Sequence, residues 1–221
     1  MLRDWLGDLS LDAFASLHLG RNAWARPGVA LPQIPLFGWP ALGRILEQPD
    51  LDLIAVARGQ FLDVPRPRSL AQARAMLASG AGFVIRHAQR NDPALASFAE
   101  DFTRDLPGEA HIQLFVTPGG THGFAWHYDA EEVFITQTVG VKDYYFRENT
   151  ITREAPRAIR HDFSRFREET SPLQTARLLA GDVLYLPARW WHMAKCVEDS
   201  LSISLGVTTR DVRSTGGPPA P

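Results

Sequence analysis

From Ser200 to Val207 the sequence reads SLSISLGV, and small residues alternate with aliphatic ones without a break. A period of two belongs to an extended strand, whose successive side chains leave on opposite faces. Ser200, Ser202, Ser204 and Gly206 therefore share one face, and Leu201, Ile203, Leu205 and Val207 the other. The aliphatic face demands a core behind it. The hydroxyl face suits either solvent or the lining of a cavity that holds a polar ligand.

The same grammar recurs upstream. After Gly108 the segments HIQLFVT, EEVFITQTV, KDYYFRE, ARLL and DVLYLPA are short, rich in β-branched and aromatic residues, and separated by turns bearing glycine or proline. Strands of this kind predict a β-sandwich or barrel. The N-terminal part reads differently. Leu9, Leu11, Phe14 and Leu17 predict one short amphipathic helix within residues 1–20. From Trp24 to Phe61 the frequent prolines and glycines predict short strands and turns. Ser69 with Gln72 forms a capping-box pattern before LAQARAMLAS, and Asp92-Pro93 opens PALASFAEDFTRDL, so two helices are expected with GFVIR as a strand between them. The charged stretch from Asn149 to Thr175 predicts a long insertion. The expected architecture is mainly β with flanking helices, in a single domain over residues 1–209. Its helical and irregular part spans 1–108 and its β core 109–209, with a disordered tail at 210–221.

Charge and composition narrow the function classes. Lys plus Arg number 23 against 25 for Asp plus Glu, a formal net charge of -2 that gives no global field for nucleic acid. No apolar stretch reaches membrane-spanning length and the N-terminus lacks the pattern of a secretion signal, so neither a membrane nor export is expected. The single cysteine, Cys196, fits a reducing, cytoplasmic setting.

Chemistry concentrates in two places. In FAWHYDAEEVF, His127 and Asp129 stand two apart and project to the same side of an extended strand. In GDVLYLPARWWH, a short strand leads to His192 beside Trp190 and Trp191. Alone, the first pair reads better as a polar strand end at the surface, and His192 as a core histidine. Together, two imidazoles and a carboxylate make a facial triad, which leaves coordination positions open and suits Fe(II) with a chelating co-substrate and dioxygen. Zinc more usually receives four tightly set ligands or one open position.

These motifs resemble the cupin-like branch of the JmjC family, in particular the asparaginyl hydroxylase of hypoxia-inducible factor and the ribosomal-protein hydroxylases. The resemblance rests on TPGGTHGFAWHYDAEEVF, TQTVGVK, GDVLYLPARWWH and SLSISLGV, in that order, between about His111 and Val207. It implies a double-stranded β-helix, the jelly roll of cupins, with His127, Asp129 and His192 as catalytic iron ligands. It also implies 2-oxoglutarate as co-substrate with O2, and release of succinate and CO2. Lys142, beyond the Val139-Gly140 turn, falls where this branch binds the distal carboxylate of 2-oxoglutarate. A dicarboxylate needs a fixed cation there, and strand alternation gives Lys142 the same face as Tyr144 and Phe146. Ser202, Ser204, Gln113 and Gln137 are further candidates for holding it, and Trp126, Trp190 and Trp191 for walling the site.

The chain also departs from the pattern. Val133 stands where relatives carry an asparagine, and Phe115 where some carry a tyrosine that contacts the co-substrate. No counterpart of the relatives' C-terminal dimerisation or winged-helix region follows the last strand, so dimerisation by that route is not expected. The implied reaction is hydroxylation of a C–H bond in a protein or peptide side chain or an amino-acid-like small molecule. The alternatives are N-methyl-lysine demethylation and a non-catalytic, metal-binding cupin acting as a sensor or interaction module.

Overall fold

The computed structural model describes residues 1–151 and 163–209; the expected tail at 210–221 and the middle of the 149–175 insertion lie outside the described residues. The chain opens with helices α1 (Leu2–Leu6) and α2 (Leu11–Leu17), strand β1 (Trp24–Arg26), a 3-10 turn (Leu31–Phe37) and helix α3 (Trp39–Leu46). Strands β2 (Asp52–Ala57) and β3 (Gln60–Leu62), helix α4 (Leu70–Ala78), strand β4 (Gly82–Arg86) and helix α5 (Pro93–Asp105) follow. The remainder comprises β5 (Gly108–Thr117), β6 (Glu132–Val139), β7 (Lys142–Arg147), α6 (Phe163–Glu168), β8 (Gln174–Leu178), β9 (Val183–Leu186), β10 (Trp191–Cys196) and β11 (Ser200–Thr209).

Two antiparallel sheets result, a large one in the order β1-β9-β6-β11-β5-β4-β2-β3 and a small one in the order β10-β7-β8. This is the expected jelly-roll layout with flanking helices. The alternation of SLSISLGV sets the layers. Leu201, Ile203, Leu205 and Val207 point to the main core, where Trp5, Phe14, Phe37 and Phe102 bring the N-terminal helices onto the back of the large sheet. A second cluster, including Val133, Ile135, Tyr144, Phe146 and Leu184, fills one end of the space between the sheets. The serine face is left to line the other part of that space.

Gly140 passes the chain from β6 in the large sheet to β7 in the small one. Its φ is +76°, and a Cβ there would stand 2.5 Å from the Asp199 carbonyl oxygen. Only glycine tolerates both conditions. The turn delivers Lys142 as the first residue of β7.

Local signals explain the helices. Ser69 accepts from the Gln72 N–H at 3.3 Å, and Asp92 accepts from Ala94 and Leu95, so both expected helices start where their caps stand. Three expectations need correction. The single helix of residues 1–20 is two, because Gly7 takes φ 60° at the end of α1 and Ser10 caps α2. Helix α3 occupies a stretch read as strands and turns: its proline sits in the first turn, where the missing N–H is harmless, and Ala41, Leu42, Ile45 and Leu46 are buried. Strand β10 was not expected at all; it forms by pairing with β7. No helix among the described residues is long and apolar enough to cross a membrane.

Candidate metal centre and adjoining cavity

His127 and Asp129 lie on an irregular segment before β6, not in a continuous strand as the spacing suggests. What holds them is an isolated antiparallel bridge to β10 whose two members are themselves the histidines. The His127 N–H donates to the His192 carbonyl at 3.1 Å, and the His192 N–H returns a bond to the His127 carbonyl at 2.8 Å. The two rings are thereby brought to 4.2 Å between centroids. One ligand atom from each of His127, Asp129 and His192 lies within 4.8 Å of the others, and His192 Nε2 is 3.5 Å from Asp129 Oδ2.

The tautomers suit a metal. Nδ1 of His127 faces the Ala125 carbonyl at 2.8 Å, and Nδ1 of His192 faces the Trp190 carbonyl at 3.0 Å. A carbonyl can only accept, so each Nδ1 carries the proton and each Nε2 keeps a lone pair for a cation. Both histidines are buried and Asp129 is half-buried. The donor set therefore fits a divalent transition metal with positions left for other ligands.

A carboxylate overlooked by sequence reading braces this arrangement. Glu132 is 7% exposed, receives the Tyr185 hydroxyl and accepts from the Ala188 N–H at 3.2 Å. The next residue, Arg189, donates its N–H to the Asp129 carbonyl at 2.7 Å. Glu132 thus ties the segment leading to His192 to the one carrying Asp129. Burial pushes its carboxyl above the ordinary range. The signal was present in the sequence: Glu132 is an acid on the strand face of Phe134, which alternation assigns to the core.

A cleft of about 820 Å³, counted out to its open mouth, runs from the triad between the two sheets. Of the candidates for holding a co-substrate, Lys142, Ser202, Ser204 and Gln113 line it; Gln137 does not. Gln137 is fully buried, and its amide donates to the Val139 carbonyl at 2.6 Å. Lys142 is 3% exposed, and its Nζ donates to the Ser202 hydroxyl at 2.9 Å. It has no carboxylate partner among the described residues, and burial lowers its pKa. The walls are Phe115, Phe124 and Tyr144. The three tryptophans stand behind them: Trp191 packs edge-on against Tyr128, Trp190 joins the inter-sheet cluster, and Trp126 stacks on Phe166 of α6.

The model of the JmjC domain matches residues 85–215, more than half of the chain. The chain belongs to the JmjC domain family. Among curated proteins, this JmjC chain is 34% identical to ribosomal oxygenase 1 of Gallus gallus over 108 residues, which is 48% of this chain and 18% of that protein. It is also 34% identical over 97 residues to the bifunctional lysine-specific demethylase and histidyl-hydroxylase NO66 of Dictyostelium discoideum, 43% of this chain and 19% of that one. Among solved structures, it superposes on the Escherichia coli ribosomal oxygenase YcfD in complex with cobalt and 2-oxoglutarate with a TM-score of 0.65. Identity there is 16%, and the match covers 93% of this chain and 53% of YcfD. The chain thus spans about a fifth of the length of these curated relatives and about half that of YcfD.

Proposed function

We propose that this chain is an Fe(II)- and 2-oxoglutarate-dependent oxygenase that hydroxylates a C–H bond of a protein or peptide side chain, or of an amino-acid-like small molecule. The observation that carries this reading is Lys142, a buried lysine with no carboxylate partner among the described residues, in the same cleft as a His/Asp/His triad. An unpaired buried charge costs several kcal/mol, so a cation kept there argues for an anionic ligand that completes it. A second carboxylate at the far end of a metal-chelating 2-oxo acid is such a ligand. A cupin that only bound metal would have no use for it.

His127, Asp129 and His192 would hold the iron, and bound iron would supply the oxidising chemistry on dioxygen with 2-oxoglutarate as reductant. The chain's own residues do the rest. Backbone carbonyls orient both imidazoles, Lys142 and Ser202 receive the distal carboxylate, and Phe115 and Phe124 exclude water from the cleft. The relatives' names support a protein substrate, since one is a ribosomal oxygenase and another a histidyl-hydroxylase.

Anaerobic titration with Fe(II) and then 2-oxoglutarate tests the reading through the visible charge-transfer band of the chelate. A band that requires Lys142 supports it; no band, or one unchanged in Lys142→Ala, defeats it. In air, succinate should form and should vanish in Asp129→Ala. A gain of one oxygen on a candidate substrate reports hydroxylation, whereas loss of a methyl with formaldehyde would assign demethylation instead.

A further inference from the structure

We infer that Tyr144 is a ligand of the co-substrate's distal carboxylate, donating its phenolic O–H beside Lys142 and Ser202; the inference rests on the reading of Lys142 given above.

The alternation of β7 puts Lys142 and Tyr144 on one face, and both are buried, at 3% and 6% exposure. They line the same cleft as Ser202, whose hydroxyl accepts from Lys142 Nζ at 2.9 Å and stands close enough to the Tyr144 phenol to act on its ionisation. The ring of Tyr144 belongs to the inter-sheet apolar cluster with Val133, Ile135 and Phe146, which anchors it, and the residue also lines the cleft. Burial raises the phenol's pKa, so it stays protonated and remains a donor at any ordinary pH.

The inventory at this end of the cleft is lopsided. An ammonium brings three donors, and a phenol and a serine hydroxyl bring one each, while no carboxylate among the described residues contacts any of the three. Two carboxylate oxygens supply the missing acceptors. Facing Lys142, the wall is an aromatic ring. Phe115 pairs with Ser202 across β5 and β11, and its ring lies 5.5 Å from Lys142 Nζ. Among the described residues Tyr144 is the one tyrosine lining the cleft.

The test compares two ligands on Fe(II)-loaded protein without oxygen: 2-oxoglutarate, and 2-oxopentanoate, which has the same chain length but no distal carboxylate. Both are titrated by the charge-transfer band, with thermal unfolding as the check on folding. Tyr144→Phe removes one oxygen and keeps the packed ring. It should weaken 2-oxoglutarate by roughly 10- to 100-fold, the loss expected for a hydrogen bond to a charged group, and leave 2-oxopentanoate unchanged. Equal weakening of both ligands would mark Tyr144 as a wall and overturn the proposal, as would no weakening. Binding of 2-oxoglutarate by wild-type protein that is insensitive to Lys142→Ala would instead overturn the reading beneath it.

Discussion

Replacing Lys142 by methionine should make the protein more stable and unable to bind its co-substrate. The side chain is 3% exposed, has one hydrogen bond, to Ser202 at 2.9 Å, and faces no carboxylate among the described residues. Methionine is unbranched and of similar length, so it can follow the same channel, and the Ser202 hydroxyl still opens onto the cleft. Exchanging buried charge for apolar volume typically stabilises by about 1–4 kcal/mol. For a chain of this size that is a rise of roughly 2–4 °C in Tm per kcal/mol. Ligand should act in the opposite sense: 2-oxoglutarate at a hundred times its Kd adds about 2.7 kcal/mol to wild type and nothing to the variant. Because burial holds the folded-state pKa of Lys142 below the ordinary lysine value of 10.5, the penalty is complete at pH values below that folded pKa. It is relieved as pH rises through it, since the folded protein then sheds a proton the unfolded chain retains. The gap between variant and wild type should therefore narrow at alkaline pH. Differential scanning of both proteins, metal-loaded and anaerobic, with and without 2-oxoglutarate, makes the measurement. A variant less stable than wild type, or one still stabilised by 2-oxoglutarate, would refute the reasoning.

Other perturbations address the scaffold around the site. Glu132→Gln should weaken metal binding by about 10-fold in an equilibrium metal titration while the protein remains folded, because the link from Ala188 to Asp129 is loosened. Gly140→Ala should cost more than about 1 kcal/mol, read as a lowered denaturant midpoint, since it combines a φ of +76° with a Cβ 2.5 Å from a carbonyl oxygen. Glu169 accepts from Thr150 and from the Thr170 and Ser171 amides, and these bonds pull its pKa from 4.5 to about 2 against the opposing effect of burial. Its stabilisation is therefore full above pH 4.5 and lost as pH falls through about 2, so the protection of the Thr150 and Ser171 amides, taken relative to intrinsic exchange at each pH, should fall over that window and depend less on pH in Glu169→Gln.

Much of the site was legible because it obeys short-range rules. The period of two in SLSISLGV assigned Ser202 and Ser204 to one face, and the same period in KDYYFR put Lys142 beside Tyr144; both statements need only that the segments be strands. The caps Ser69 and Asp92 are equally local. The readings that failed depend on partners far along the chain. Strand β10 exists because β7 pairs with it, and WWHMAKC carries no strong signal of its own. Gln137 has the right strand and the wrong surroundings, and the tryptophans are large and close in sequence to ligands but stand outside the cleft. Residue types and alternation determined which side chains could serve a metal and a dicarboxylate. Only tertiary structure decided that His127 and His192 hold each other across one bridge, and that Lys142 from one strand meets Ser202 from another. Those contacts join residues 60 or more positions apart, and a local period cannot encode which distant strand will supply the other half of a hydrogen bond.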